Sequence, residues 1–145
     1  MAVLPILSIG EEHCYLHSSL PLMSLVGKWF VFWGAGIRVF LAGLRQIFQP
    51  RFTAEQILGI RSENSLLFVR ELGAANLGAG IVGIASLAKP SFVLPAAIAA
   101  AVFFGIAGIR HATDACRSRN QNIAMISDLF LSLVLVAYIS FVVLA

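Results

Sequence analysis

Four long apolar stretches dominate the chain, and each is long enough to cross a bilayer as a helix. They lie at about residues 21–48, 64–88, 92–110 and 123–145, separated by charged, polar or proline-containing segments. About 20 mostly apolar residues are needed to span the hydrocarbon core. The pattern therefore predicts an all-α fold, an integral membrane four-helix antiparallel bundle in a domain that covers residues 20–145.

The first loop carries a helix-start signal of its own. After Pro50, the segment Phe52-Thr53-Ala54-Glu55-Gln56-Ile57 has the spacing of a capping box, with Thr53 as the N-cap and Gln56 reaching back to it. This signal predicts a short interfacial helix in the first loop, too short to span the membrane.

Residues 1–19 are predicted to form an N-terminal lead-in at the membrane interface. His13 and His17 are four residues apart, a spacing that places two metal ligands on one face of a helix. No second cluster of ligands accompanies them in the sequence, so we predict no metal site.

Composition makes the bilayer the main partner of this chain. Of its 145 residues, 59% are hydrophobic and only 12% are charged, whereas about a quarter of the residues in a soluble domain are charged. A soluble protein this apolar would not have enough polar surface to cover its core. The net charge of +3 comes from arginines gathered in loops, which indicates membrane orientation rather than binding of nucleic acid.

The arginines are distributed unequally between the two faces of the predicted bundle. Four lie from position 45 to 70 and three from position 110 to 122, while the opposite face has only Lys28 and Lys89. Loops rich in lysine and arginine stay on the cytoplasmic side. We therefore expect a multi-pass protein of the inner (plasma) membrane with both termini outside.

The second apolar stretch contains an unusual number of small residues. Gly73, Asn76, Gly80 and Gly83 follow steps of three and four residues, so they share one face of a helix. Small residues on one face let two membrane helices approach closely. The same letters match a dinucleotide-binding fingerprint, but no predicted strand precedes them. We therefore predict a packing face and no bound nucleotide.

The alternating topology brings polar side chains near four helix ends to the arginine-rich face of the bundle. There they form a polar cup whose candidate residues for ligand binding or proton handling are Arg38, Gln46, Glu71, Asn76, His111 and Asp128. Ionisable residues inside a membrane are functional candidates by default. No residue is assigned a catalytic role.

Two pairings are predicted inside the cup. Arg38 and Glu71 lie in the same half of consecutive antiparallel helices, so we expect an ion pair between them. Asp128 is expected to orient His111 or to exchange a proton with it. Such pairs either form a working site or only fix the positions of the helices, and the sequence leaves both interpretations open.

Four short stretches carry a resemblance to a known family. They are Trp33-Gly34-Ala35-Gly36-Ile37-Arg38, Gln46-Ile47-Phe48-Gln49-Pro50-Arg51-Phe52-Thr53, Arg70-Glu71-Leu72-Gly73-Ala74-Ala75-Asn76-Leu77 and Gly105-Ile106-Ala107-Gly108-Ile109-Arg110-His111. The chain resembles a family of small bacterial membrane proteins of unknown function that are similar in architecture to DoxX-type four-helix proteins. The resemblance implies an inner-membrane bundle and brings no assigned reaction.

Three functions fit these observations. The first is a non-enzymatic protein that binds a lipid-like or small polar ligand, or a partner subunit, at the cup. The second is a DoxX-like subunit of a quinone-linked oxidoreductase, in which His111 and Asp128 handle quinone protons. The third is a small transporter that works as a homo-oligomer. No cofactor motif is evident, and quinone enters only under the second hypothesis.

Overall fold

A computed structural model of the protein describes residues 2–115 and 117–144, and the regular structure in these two ranges is entirely helical. We number the helices in chain order. They are α1, Val3–Gly10, continued by a π-helical segment Glu11–Tyr15; α2, Leu22–Phe48; α3, Pro50–Phe52, continued by a π-helical segment Thr53–Ile57; α4, Ser65–Ala85; α5, Pro90–Thr113; and α6, Arg119–Leu144.

Helices α2, α4, α5 and α6 are each long and apolar enough to cross a membrane. The predicted all-α fold with four spans is therefore confirmed. Contacts between α2 and α4 pair Gly36 with Gly83 near one end and Gly43 with Gly73 near the other. Residue numbers thus rise along one helix as they fall along the other, so the two helices are antiparallel.

Close contact between backbones joins α2 to α4 and explains the glycines of α4. A Cβ added to Gly80 would lie 2.5 Å from the backbone nitrogen of Phe40, and one added to Gly36 would lie 2.8 Å from the carbonyl carbon of Gly83. Only a hydrogen atom fits at such distances. The prediction that α4 presents a close-packing glycine face is confirmed.

The middle of α2 is π-helical over Val31–Arg38, which the hydropathy pattern did not predict. A π-helical turn takes up an extra residue and so changes which side chains face the bundle. Gly34 and Gly36 lie in this segment, against Leu131 of α6 and Gly83 of α4 respectively. Helix α2 therefore contacts both neighbours through its π-helical segment.

Helix α5 packs along α6 and leaves a cleft on its other side. The Ser132 hydroxyl donates a 2.9 Å hydrogen bond to the Ala101 carbonyl, and Gly108 lies against Leu129. Helices α4 and α5, by contrast, touch each other only sparingly. A cleft remains between them, with Ala35 and Val39 of α2 at its base.

The N-terminal lead-in is a helix that docks on α2, away from the arginine-rich loops. The Glu12 carboxylate accepts hydrogen bonds from Lys28 Nζ at 2.7 and 2.8 Å and from Trp29 Nε1 at 2.7 Å. Trp33 Nε1 donates to the Ser8 hydroxyl at 3.1 Å. These bonds tie α1 and its π-helical extension to the first turns of α2.

The capping box lies elsewhere than predicted. Helix α3 begins at Pro50, whose fixed φ and missing N–H suit the first helical position, so Thr53 is buried inside the helix. The prediction of a cap at Thr53 is therefore wrong. A capping box instead starts α6: the Ser118 N–H donates to Gln121 Oε1 at 2.7 Å, and the Gln121 N–H donates to Ser118 Oγ at 3.2 Å. Helix α6 accordingly begins before the predicted position 123.

Candidate functional site

A chamber of about 380 Å³ lies among α2, α3, α4, α5 and α6, at the end of the bundle that carries the arginine-rich loops. We call it the polar chamber. Its polar and charged lining consists of Arg38, Arg45, Gln46, Thr53, Asn76, His111 and Asp128. Five of the six candidate residues predicted from the sequence therefore line one cavity, and the sixth, Glu71, does not.

Arg38 is paired with α6 rather than with α4. Its Nη2 atom donates to the Asp128 carboxylate and, at 3.0 Å, to the Ser127 hydroxyl. The guanidinium group also lies 4.6 Å from the ring centroid of Phe104. Glu71 is exposed on α4. The predicted Arg38–Glu71 ion pair is therefore wrong, and Asp128 is the partner of Arg38.

Only one of the two terminal nitrogens of the Arg38 guanidinium group, Nη2, makes hydrogen bonds to the described residues. The Nη1 atom is buried and has no hydrogen-bond partner in the part of the chain that the structure describes. A buried charged donor without a partner is costly. Arg38 therefore has unused hydrogen-bonding capacity beside the polar chamber.

His111, near the end of α5, presents a second free group. Its side chain is buried, with 4% of its surface exposed, and its Nδ1 atom has no hydrogen-bond partner within residues 2–115 and 117–144. The nearest carboxylate oxygen, Oδ2 of Asp114, is 3.9 Å away, too far for a hydrogen bond. Among the described residues Asp128 makes no hydrogen bond or ion pair to His111 and is engaged by Arg38, so it does not orient His111 by direct contact. Proton exchange between the two stays a prediction.

Gln46 and Asn76 form the opposite wall of the polar chamber. Both are buried, and the Asn76 Nδ2 group donates a 2.8 Å hydrogen bond to Gln46 Oε1. The bond joins α2 to α4 beside the glycine contacts. Buried amides are normally hydrogen-bonded, and this bond satisfies one donor of Asn76 and the acceptor of Gln46.

Two further lining residues were not among the six candidates: Arg45, which the sequence places at the polar end of α2, and Phe104, which was not predicted. The Arg45 guanidinium lies 3.5 Å from the ring centroid of Phe52 in α3, and Phe104 stacks on Arg38. A signal for both was present. Arg45 follows Arg38 by seven residues and Phe104 precedes His111 by seven, and residues two helical turns apart share a face.

An apolar cavity of about 400 Å³ adjoins the polar chamber. We call it the α4–α5 groove. Small side chains line much of it: Ala75 and Ala79 on α4, and Ala96, Ala99 and Ala100 on α5. The two cavities share the lining residues Val39, Leu72, Asn76, Phe103 and Phe104. The site therefore has an apolar part and a polar part that are directly adjacent.

The four apolar helices, with a polar cavity set among them, define a small multi-pass membrane protein. The chain belongs to the family of unknown function DUF6790, whose model matches residues 2–145. The match includes the N-terminal lead-in. No curated protein and no solved structure matches the chain significantly. The similarity to DoxX-type proteins stays a prediction.

Proposed function

We propose that this protein binds an amphiphilic molecule of the membrane, with the apolar tail in the α4–α5 groove and the head in the polar chamber. The observation that carries the proposal is the direct contact between an alanine-lined apolar groove and a chamber with buried, unpartnered polar groups. Each part suits one half of such a ligand.

The dimensions of the two cavities support a ligand of this kind. Their volumes, about 400 and 380 Å³, both fall within the ~300–1,000 Å³ typical of small-molecule sites. Alanines on both walls keep the groove open, and it lies between two membrane-spanning helices. A molecule already dissolved in the bilayer would therefore enter from the side without crossing water.

The polar chamber contains groups that can hold the head of the ligand by hydrogen bonds. Two of its lining residues have buried atoms without partners among the described residues, Arg38 at Nη1 and His111 at Nδ1. Buried polar groups are normally hydrogen-bonded, and an unmet donor costs about 1–3 kcal/mol. A head group that satisfies both atoms recovers that free energy, whereas a lipid tail in the same place does not.

A quinone is a second candidate ligand, because His111 Nδ1 is a free group of the kind that hydrogen-bonds a quinone carbonyl. Its isoprenoid tail would occupy the α4–α5 groove. Under this alternative the protein would be a DoxX-like subunit of an oxidoreductase, and the electrons would pass to or from a partner protein.

We also propose that the polar chamber opens towards the cytoplasm of a bacterial cell, in its inner membrane. Support comes from the arginines of the two loops at this end, against Lys28 and Lys89 at the other end. Reporters fused after residues 60 and 118 are expected to be cytoplasmic, and those after 90 and 145 to be outside. A cytoplasmic reporter after residue 145 would contradict this orientation.

Native mass spectrometry of protein released from membranes into mild detergent tests ligand binding without assuming the head group. We expect the wild type to retain an additional small-molecule mass. The changes Ala99→Phe and Ala79→Phe fill the α4–α5 groove from opposite walls, so most of that mass should disappear. Ala137→Phe is the matched control, because Ala137 is exposed on α6 and lines neither cavity. Equal retention by all four proteins would contradict the proposal.

A further inference from the structure

We infer that the head of the bound amphiphile is an oxyanion, a carboxylate or a phosphate, held by Arg38, Arg45 and His111. This inference rests on the proposed function and adds to it the chemical class of the ligand. Three features of the polar chamber point to an anion: its charge balance, its fixed arginines and its buried histidine.

Charge balance is the first feature. The lining of the polar chamber contains two guanidinium groups, Arg38 and Arg45, and one carboxylate, Asp128. With His111 neutral, the lining has one positive charge in excess. Asp128 neutralises Arg38, so the excess charge is that of Arg45, an exposed side chain at the edge of the chamber. An anion in the chamber is attracted to this charge. A neutral head such as a quinone would leave the excess in place.

The fixed arginines are the second feature. Arg38 is positioned by its bonds to Asp128 and Ser127 and by the ring of Phe104, and its Nη1 atom remains free. Arg45 is positioned by the ring of Phe52. Planar guanidinium groups held against aromatic rings lose little freedom when they bind carboxylate or phosphate oxygens. The chamber is thus prepared for an oxyanion before the ligand arrives.

The buried histidine is the third feature. His111 lines the same chamber, and its buried Nδ1 atom has no acceptor within hydrogen-bond distance among the described residues. With a proton on this atom, the ring donates to an oxyanion. His111 lies on α5 while both arginines lie on α2, so donors from two helices would hold one head group.

The tail distinguishes this ligand from free phosphate. Inorganic phosphate would satisfy the three donors but would leave the α4–α5 groove without an occupant other than bulk lipid. An oxyanion on an apolar chain fills both cavities. Fatty acids and lipids with a terminal phosphate share this chemistry.

Amphiphiles with saturated tails of ten or twelve carbons, together with inorganic phosphate, test the inference on the full chain in phosphatidylcholine nanodiscs. Dodecanoate, dodecyl phosphate, dodecanol, decylubiquinone and inorganic phosphate are compared by the concentration at which each raises the thermal unfolding temperature. We expect the two anionic amphiphiles to stabilise the protein at concentrations where dodecanol and decylubiquinone have no effect. Whichever anion acts at the lower concentration identifies the preferred head.

Variants show whether the effect arises in the polar chamber. Arg45→Gln and His111→Gln should each weaken stabilisation by the anionic amphiphiles about tenfold, the loss of one charge-assisted hydrogen bond. Arg61→Gln, an exposed loop change that removes the same charge, should behave as the wild type. Both test variants keep the Arg38–Asp128 pair and are expected to fold.

Each remaining outcome of the amphiphile comparison would overturn a particular part of the proposal. Equal stabilisation by dodecanol or decylubiquinone would overturn the oxyanion head and leave the proposed function standing. Inorganic phosphate acting as well as dodecyl phosphate would support the oxyanion but overturn the tail. If Arg61→Gln reduces the stabilisation by anionic amphiphiles as much as Arg45→Gln does, the inference is also overturned. No response to any amphiphile would overturn both the inference and the proposed function.

Discussion

Gly80→Leu is expected to destabilise the protein by on the order of 3 kcal/mol, whereas Gly78→Leu should be close to neutral. Both glycines lie in α4, two residues apart, and both changes improve helix propensity equally. A Cβ at Gly80 would lie 2.5 Å from the backbone of Phe40, but a Cβ at Gly78 meets nothing within 4 Å. The leucine at position 80 therefore has to push α2 away from α4.

Thermal or denaturant unfolding in detergent measures this difference. The separation of α2 from α4 should also break the Asn76–Gln46 hydrogen bond, so the loss exceeds that of a simple steric adjustment. If the two leucine variants unfold together, the glycine face does not hold α2 against α4.

The second large effect concerns the ion pair between α2 and α6. Arg38→Gln or Asp128→Asn alone leaves a charge without its partner in a mostly buried site, at a cost of about 3–5 kcal/mol. The double variant has no unpaired charge and should lose well under the sum of the two single losses. Unfolding is measured after detergent exchange to remove bound lipid, which would otherwise contribute to stability.

A matched control is available on the surface. Arg51 and Glu63 form an ion pair with side chains 65% and 70% exposed, and such pairs contribute less than about 1 kcal/mol. Arg51→Gln and Glu63→Gln should therefore have small effects. Glu71→Gln should also be nearly neutral. Additive losses for Arg38→Gln and Asp128→Asn would mean that the two residues are not energetically coupled.

The sequence contained enough information to reject Glu71 as the partner of Arg38. On α4 the buried positions include Gly73, Asn76 and Gly80, the face that the glycine spacing predicts. Residues on a helix are separated by about 100° of rotation. Glu71 is two residues from Gly73, so it points about 200° away from the packing face. The same pattern that predicted the glycine contact correctly thus excluded the predicted ion pair.

The burial of Asp128 was harder to predict. The buried residues of α6 are Gln121, Asp128, Leu131, Leu135 and Tyr138, spaced by seven, three, four and three. That spacing is typical of one helical face. Most residues on the remaining faces of α6 are apolar as well. In a membrane the lipid-facing side is as apolar as the core, so hydropathy does not separate the two faces.

Fold class was predictable for a different reason. Four apolar stretches separated by polar loops predict four spans whatever the packing, because the bilayer requires each span to satisfy its own backbone. The π-helical segment Val31–Arg38 was not predictable, because it depends on the contacts of α2 with both α4 and α6. The polar chamber lies beside this segment, so its detailed lining could not be predicted either.

Photo-crosslinking shows where the tail of a bound amphiphile lies in the protein. A dodecyl phosphate carrying a diazirine in its tail is added to the protein in nanodiscs, irradiated, and located by peptide mass spectrometry. We expect the label to concentrate on residues 72–82 and 95–104, to be displaced by excess unlabelled dodecyl phosphate, and to be lost in Ala99→Phe. Label spread equally over the exposed apolar surface of α6, and insensitive to competitor, would contradict the account.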